Sequence, residues 1–313
     1  MRKSILVLIV FTVLILSGCE KTFDPLEIKE MCLQNNNIFF QDQDFNVYKI
    51  DILTGKKEKI GIGNLTSLNN EVFFNDGKNL IKFENEIRKN IGTSPDFYSD
   101  ELIAVLNDTC FYKERNRIIT WNCNTSISNE FYSFANDSDL YVITAEKMYY
   151  GGIDGLFEYD LVKKSSIKIF DGYITSMKEY NNRLYFAASI SQKMPSNNYD
   201  IEDGYIYSGA DFYMLNGDQI QKITTIERIK YDETNFALFD DRIFITGYDE
   251  DNKHNQLYII DYEGKKECIS LPSEIESNGA VDVNENYFVS ANKIGTKFYI
   301  FGFKDGNLKL NNI

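Results

Sequence analysis

The sequence predicts an all-β fold, a seven-bladed β-propeller built from four-stranded antiparallel blades. Three observations support this prediction. An apolar and aromatic unit recurs seven times along the chain, each unit has room for four short strands, and hydrophobic residues fall in short alternating runs. Tyr and Phe are abundant, at 21 and 23 residues, whereas Pro occurs only 4 times, a composition typical of strands.

Each unit contains one strongly aromatic strand, and the central residues of these strands are spaced by 34, 38, 38, 36, 59 and 44 positions. The seven triplets are Ile38-Phe39-Phe40, Val72-Phe73-Phe74, Cys110-Phe111-Tyr112, Met148-Tyr149-Tyr150, Leu184-Tyr185-Phe186, Ile243-Phe244-Ile245 and Tyr287-Phe288-Val289. A second apolar run follows each triplet, as in Val47-Tyr48-Lys49-Ile50, and a weaker strand precedes it, as in Leu65-Thr66-Ser67-Leu68. Four short strands at this period describe one propeller blade.

The ends of the chain supply the remaining strands of the ring. Residues 26–33 can form the first strand of the first blade, and residues 308–313 the last strand of the seventh. On this register the ring closes by packing, without a strand exchanged between the termini. Eight blades would need a repeat that the sequence lacks, and six would require merging two triplets. An open solenoid or a sandwich is the alternative architecture.

The N-terminus has the parts of an export signal. Arg2 and Lys3 precede an uncharged apolar run over residues 5–16, which is shorter than a membrane-spanning helix requires. Leu16-Ser17-Gly18-Cys19 resembles the lipobox of bacterial lipoproteins, which implies cleavage after Gly18 and a lipid on Cys19. The expected organisation is therefore a signal peptide at 1–18, a lipidated tether at 19–25 and the propeller at 26–313, anchored outside the bacterial cell membrane. A transmembrane anchor or an ordinary signal with an incidental Cys is the alternative.

The repeat also resembles a known group of propellers. Asn37-Ile38-Phe39-Phe40-Gln41-Asp42, followed by Val47-Tyr48-Lys49-Ile50-Asp51, is similar to the repeat of receptor-type YWTD propellers. It is closer still to bacterial lipoprotein propellers grouped as a domain of unknown function. The later blades lack the Asp after the aromatic pair, and the WD-repeat signature is absent. The resemblance implies a fold and a binding role, and it transfers no catalytic residue.

Charge limits the classes of partner. The net charge is −14, and removal of residues 1–18 would take away two basic residues and no acid, leaving −16. Nucleic-acid binding depends on Lys and Arg that neutralise phosphates, so we expect no nucleic-acid partner. Flat adhesion to an anionic membrane surface is equally disfavoured. A cationic partner is compatible with this charge, as is a role in solubility alone.

Motifs for catalysis, metals and cofactors are scarce. His254 is the only His, and no nucleophile elbow, phosphate-binding loop or dinucleotide fingerprint occurs, so we predict no cofactor and no metal site. Asp42, Asp44 and Asn46 alternate as calcium ligands can, but Val47 stands where an EF-type turn needs Gly, which favours an ordinary hairpin turn. Carboxylates are plentiful, so a carboxylate-dependent envelope hydrolase or lyase acting on glycans is the alternative function.

Four cysteines besides Cys19 remain, at 32, 110, 123 and 268. Counting outward from a turn near Arg115 places Cys110 opposite Trp121, so that Cys123 is its diagonal neighbour. An exported protein can form disulfides. The spacing allows a Cys110–Cys123 disulfide and favours buried free thiols.

An insertion in the fifth repeat, between Ile190 and Asp211, is the main departure from the period. Long loops in a regular repeat are often functional, and this loop and the one around His254 join the second and third strands of neighbouring blades. We therefore expect both loops on one face, holding a partner with aromatic and acidic side chains. The candidate binding residues are Tyr199, Asp200, Glu202, Asp203, Tyr205, Tyr207, Asp249, Asp251 and His254.

The expected function is non-enzymatic: a membrane-anchored propeller that binds an envelope protein, peptide or glycan. Enzymatic activity of the carboxylate type is the second interpretation. A purely structural subunit of an envelope complex is the third, and it would carry an exposed apolar patch on its blade edges.

Overall fold

The protein is a ring of seven four-stranded antiparallel sheets, which confirms the predicted seven-bladed propeller. The structure is a computed structural model and describes residues 28–68, 71–76, 78–84, 87–94, 101–133, 140–190, 209–227, 236–249, 254–271, 281–291, 297–303 and 308–312. The expectations for the signal peptide, for Cys19 and for the tether concern residues outside this set. No helix in these described ranges is long and apolar enough to cross a membrane.

The strands follow chain order within every blade. The first blade contains β1 (Ile28–Gln34), β2 (Asn37–Asp42), β3 (Asn46–Asp51) and β4 (Lys57–Ile62). The second contains β5 (Asn64–Leu68), β6 (Glu71–Asn75), β7 (Asn79–Glu84) and β8 (Ile87–Thr93). The third contains β9 (Glu101–Leu106), β10 (Thr109–Glu114), β11 (Arg117–Asn122) and β12 (Ile127–Ser133). The fourth contains β13 (Leu140–Ile143), β14 (Lys147–Gly152), β15 (Gly155–Asp160) and β16 (Ser165–Phe170).

The remaining three blades have the same order. The fifth contains β17 (Ile174–Tyr180), β18 (Arg183–Ser189), β19 (Ala210–Asn216) and β20 (Gln219–Ile226). The sixth contains β21 (Phe236–Phe239), β22 (Arg242–Asp249), β23 (His254–Ile260) and β24 (Lys266–Ser270). The seventh contains β25 (Val281–Val283), β26 (Tyr287–Ala291), β27 (Lys297–Gly302) and β28 (Leu308–Asn312). Each predicted aromatic triplet therefore lies in the second strand of its blade.

The hydrophobic core lies between blades. Among the described residues, seven buried clusters each combine side chains from two neighbouring blades, and the seventh joins the last blade to the first. The second strands are the most buried, with every residue of β2 buried, whereas the fourth strands β4, β8, β12, β16 and β24 are largely exposed. Because each blade buries both faces against neighbours, no single blade has a core of its own.

Tight turns explain the Asn- and Asp-rich positions of the repeat. The first and second strands of several blades are joined by two-residue turns, such as Asn35-Asn36, Asn181-Asn182 and Asp240-Asp241. Asn35, Asn181, Asn182, Asp240 and Asp241 have φ between 51° and 59°. Asn and Asp tolerate this left-handed conformation better than other non-Gly residues, which suits them to hairpin turns of the favoured hand.

A bulge recurs between the third and fourth strands of the first five blades. The register shifts after Val47, Leu80, Ile118, Leu156 and Phe212, always near the beginning of the third strand. A β-bulge increases the local right-handed twist of a sheet. The repeated bulge therefore turns the outer strand of these blades relative to the inner ones, a feature that the alternating pattern did not predict.

The ring closes without a swapped strand, as predicted. Strands β1 and β28 lie at opposite edges of different sheets, and β1 contacts β25 in the neighbouring blade. Phe40 and Phe298 pack across this junction with ring centroids 5.1 Å apart. Both side chains are fully buried, so the first and last blades share a continuous apolar contact.

Candidate functional site

The two predicted loops begin and end at the same face of the ring. One joins β18 to β19 and the other joins β22 to β23, which are the second and third strands of the fifth and sixth blades. These blades are neighbours, because Tyr185 and Phe212 of the fifth pack in one cluster with Phe236 and Ile245 of the sixth. Strands at the same position within their blades run in the same direction, so both connections leave from the same end of adjacent blades.

Most of the predicted binding residues lie outside the described residues. This applies to Tyr199, Asp200, Glu202, Asp203, Tyr205, Tyr207 and Asp251. The backbones of Asp249 and His254 are described, and they pair as the last rung of the β22–β23 ladder. The structure thus describes the strand ends from which both loops depart, and the binding roles of these side chains stay predictions.

A polar cluster lies at the point where the longer loop re-enters the blade. The Asp211 carboxylate accepts hydrogen bonds from Thr225 Oγ1 at 2.7 Å and from the Tyr213 hydroxyl at 3.2 Å. Lys222 Nζ lies 2.7 Å from the same carboxylate. Burial raises the pKa of Asp211, but the Lys222 and Thr225 hydrogen bonds outweigh it, so the net pKa lies below its usual value. Asp211 is therefore ionised at neutral pH, and these partners fix the base of the loop.

Aromatic packing stabilises the same strand end. The ring of Tyr213 stacks on Phe186 of β18, with centroids 5.1 Å apart and an interplanar angle of 13°. Phe170, the last residue of β16 in the fourth blade, contacts both rings. The strands that carry the long loop are thus held by an aromatic group shared with the neighbouring blade, which gives the loop a packed base.

Asn255 marks the base of the shorter loop. Its side chain is 7% exposed, and no described residue donates a hydrogen bond to its Oδ1 atom. Buried amide oxygens in proteins are nearly always paired. This oxygen is therefore available to a donor from solvent or from a bound molecule, and the sequence pattern around His254 did not reveal it.

A recess opens on the opposite face, between the fourth and fifth blades. Its volume is about 410 Å³, and its walls come mainly from the turns that join first to second strands. The lining includes Glu146, Lys147, Tyr149, Glu179 and Arg183. No sequence motif predicts this recess, because its two walls belong to different blades.

The cations of this recess are already paired. Lys147 Nζ lies 3.0 Å from Glu158, and Arg183 lies 3.3 Å from Asp241. Burial lowers the pKa of Lys147, but its hydrogen bond to Glu158 and the charges around it, those of Glu158 and Asp218 among them, together outweigh that effect and give a net increase. Lys147 is therefore protonated at neutral pH, which suits it to a polar wall and not to nucleophilic chemistry.

The calcium alternative concerned Asp42, Asp44 and Asn46, which lie at the turn between β2 and β3. Asp42 is fully buried and accepts hydrogen bonds from the backbone N–H of Asn46 at 2.8 Å and from its side-chain amide at 2.8 and 3.1 Å. The Asp42 carboxylate thus closes the turn, as the hairpin interpretation predicts. Among the described residues, no group of three or more His, Cys, Asp or Glu side chains is arranged to hold a metal ion.

Comparisons with known proteins show the fold of the chain but not its family. No known family model matches the chain, and no curated protein matches its sequence. The structure is similar to the β-propeller domain of Cps50 (Swd1) from Myceliophteria thermophila, with a TM-score of 0.56, 13% identity, and coverage of 94% of this chain and 98% of that one. It is similar to virginiamycin B lyase from Staphylococcus aureus, with a TM-score of 0.57, 12% identity, and coverage of 88% and 94%.

A third similar structure is that of the RRP9 WD40 repeats, with a TM-score of 0.54, 10% identity, and coverage of 88% of this chain and 87% of that one. The three proteins differ in what their names describe, and propellers support many unrelated functions. At these identities the likeness confirms the propeller fold alone. The resemblance to YWTD-type lipoprotein propellers stays a prediction.

Proposed function

We propose that the protein is an extracytoplasmic lipoprotein whose propeller binds an envelope protein, peptide or glycan through the face that carries the two loops. The observation that supports this proposal is the departure of both loops from the same end of adjacent blades. A rigid ring brings residues that are about 50 positions apart in the sequence to one face, which is how propellers and other repeat folds build binding surfaces.

The composition of the longer loop favours a partner with cationic and hydrogen-bonding groups. Tyr199, Tyr205 and Tyr207 offer broad contact area with few rotatable bonds, so that ordering them on binding costs little entropy. Asp200, Glu202 and Asp203 supply negative charge beside them.

The anchor rests on the lipobox-like segment that ends at Cys19. Several acyl chains, each contributing about 0.8 kcal/mol per buried methylene, hold a protein at a membrane where a single chain does so only marginally. Metabolic labelling with an alkyne fatty acid tests this part. We expect label on the full-length chain and none on Cys19→Ala, whereas equal labelling of both would contradict the anchor.

The binding role is tested with a soluble form that begins at Glu20. This form and a variant lacking residues 197–207 are used as bait against solubilised envelope, and captured molecules are identified by mass spectrometry. The matched control replaces exposed Val162, in the turn between β15 and β16, with Ser, which changes a surface side chain away from the loops.

We expect a partner that the intact bait and the Val162→Ser control retain and that the shortened variant loses. A Tyr199→Ser, Tyr205→Ser and Tyr207→Ser variant then separates loop chemistry from loop length. Equal capture by all forms would contradict the loop face and direct attention to the blade edges. If no form captures anything, the bait is assayed on envelope glycans for the carboxylate-dependent hydrolase or lyase.

A further inference from the structure

Cys110 and Cys123 form a close pair inside the interface between the second and third blades. Their Sγ atoms are 2.9 Å apart, and the side chains are 0% and 3% exposed. Both residues belong to the apolar cluster that joins these two blades. A disulfide bond is about 2.05 Å long, so the sulfurs need to approach by less than about 1 Å to form one.

The backbone explains how the two residues meet. Cys110 pairs with Trp121 in the β10–β11 ladder, as the sequence predicts, which makes Cys123 a diagonal neighbour. Diagonal neighbours in a regular ladder are about 7–8 Å apart, too far for a disulfide. However, β11 ends at Asn122, and the Cys123 N–H donates to the Asp108 carbonyl at 2.8 Å. This bend brings the Cys123 side chain toward Cys110.

Cys123 also holds the neighbouring blade. Its carbonyl accepts hydrogen bonds from Thr93 N and from Thr93 Oγ1, both at 3.0 Å, and Thr93 ends the outer strand of the second blade. A Cβ atom added at Gly92 would lie 2.4 Å from the Cys123 Cβ, so the two backbones are in close contact here. A covalent link at Cys123 would therefore stabilise the blade interface as well as the hairpin.

We propose that Cys110 and Cys123 are a dithiol pair that closes to a structural disulfide when the protein folds in the presence of a thiol–disulfide oxidant. The thiolate of one cysteine attacks the oxidant disulfide and releases one thiol, and the other cysteine then attacks the mixed disulfide and releases the second. Two protons and two electrons leave the cysteine pair, and the oxidant is reduced to two thiols. The step takes place before β8 covers Cys123, because the folded interface excludes an oxidant.

The two sulfurs share a hydrogen bond inside the folded interface. This hydrogen bond raises the pKa of Cys110 and lowers that of Cys123, with burial acting to raise both. Because the oxidation precedes this packing, either cysteine can supply the attacking thiolate, which is the nucleophile in disulfide exchange. Among the described residues, no third His, Cys, Asp or Glu completes a metal site with this pair.

Peptide mapping tests the bond directly. The full-length chain is unfolded and refolded with either glutathione disulfide or a reductant, and is then alkylated in denaturant and digested with trypsin. Lys113, Arg115 and Arg117 lie between the cysteines, so a disulfide would join two separate peptides. We expect the joined peptide after oxidative refolding only, with Cys32 and Cys268 alkylated in both samples. Separate alkylated peptides after oxidative refolding would overturn the proposal.

The melting temperature gives a second measurement. A disulfide closing a loop of this length is expected to raise it by about 5 °C. We expect this difference in melting temperature between the oxidised and reduced forms of the wild type. The same difference is expected for Cys32→Ala, a control that removes a different buried cysteine. The double variant Cys110→Ala, Cys123→Ala should show none, and a redox-dependent difference of the same size there would count against the pair.

This proposal rests on the proposed function in one respect. An extracytoplasmic location would supply the oxidant in the cell, because exported proteins meet oxidising conditions. Mapping the chain extracted from membranes separates the two ideas. A joined peptide in that sample supports both. Free thiols in the membrane-extracted chain, together with a joined peptide after oxidative refolding, would support disulfide formation by Cys110 and Cys123 and contradict the extracytoplasmic location.

Discussion

Leu33 donates its backbone N–H to the Asp282 carboxylate at 2.6 Å, although 249 positions separate them in the sequence. Leu33 lies in β1 and Asp282 in β25, so this hydrogen bond joins the inner strands of the first and last blades. The side-chain amide of Asn284 donates to the Asn35 carbonyl at 2.8 Å across the same junction. Side-chain bonds of this kind, together with the Phe40–Phe298 contact, hold a ring whose ends are not connected by a shared sheet.

Asp282→Ala is expected to weaken the closure. The substitution leaves the N–H groups of Leu33 and Val283 without their carboxylate acceptor, and hydrogen bonds to charged groups contribute roughly 1.5–3 kcal/mol. We expect the free energy of unfolding to fall by about 2 kcal/mol. Urea titration measures this free energy. The control is Asp218→Ala, because the Asp218 side chain is 98% exposed and its ion pair with Lys147 is long, at 3.9 Å. Equal effects of both substitutions would show that the closure bond contributes little.

Asp282→Asn is expected to remove a pH dependence of stability. Burial raises the pKa of Asp282, and Lys178 and the two N–H donors oppose this only in part. The native carboxyl therefore holds its proton at a higher pH than the unfolded one, whose pKa is about 4. Wild type should lose stability relative to Asp282→Asn as the pH rises from about 4 through the folded pKa. Urea titrations of both proteins across this range measure the difference, and a constant difference would contradict the raised pKa.

Phe298→Ala is expected to destabilise the ring strongly. Its fully buried ring packs on Phe40 between the first and last blades, so truncation leaves a cavity at the closure. Such substitutions cost about 3–5 kcal/mol. The matched control is Leu53→Ala, at a side chain that is 70% exposed, where we expect less than about 0.5 kcal/mol. Thermal and urea unfolding measure both, and comparable losses would place the junction outside the cooperative core.

Gly63→Ala is expected to be severe for a steric reason. Gly63 joins the first blade to the second at a φ of 149°, and a Cβ there would lie 1.2 Å from the Asn75 carbonyl oxygen. We expect a loss of at least about 3 kcal/mol, since backbone must move. Gly55→Ala is the control, because Gly55 has a φ of 69° but open space around it, so only about 1–2 kcal/mol of backbone strain is expected. Similar losses for the two variants would indicate that the inter-blade connection adapts.

Much of the fold was predictable because it depends on local pattern. The triplet around Phe39 and the run from Val47 to Ile50 pair within one hairpin, so their alternation and the turn between them identify the two strands. Seven such units imply seven blades, and they also identify the long insertion before β19. The Cys110–Trp121 pairing followed from the same counting.

The candidate site was predictable only in outline. Strand order shows that the two loops leave one face, but the cluster around Asp211 depends on Lys222 and Thr225 of the next strand as well as on a Phe186 ring beneath Tyr213. The recess between the fourth and fifth blades needs turns from both blades at once. No single segment contains either arrangement.

Repeat spacing alone therefore specified the number of blades, the strands and the positions of the loops, because these features arise from neighbours along the chain. Tertiary structure alone decided the bond between Leu33 and Asp282, the approach of Cys123 to Cys110 and the repeated bulge. These depend on how blades twist and pack against one another. Leu33 and Asp282 meet only after the ring has closed, whereas the cysteine approach and the bulge are departures from regular ladder geometry within one blade, which side-chain alternation does not record.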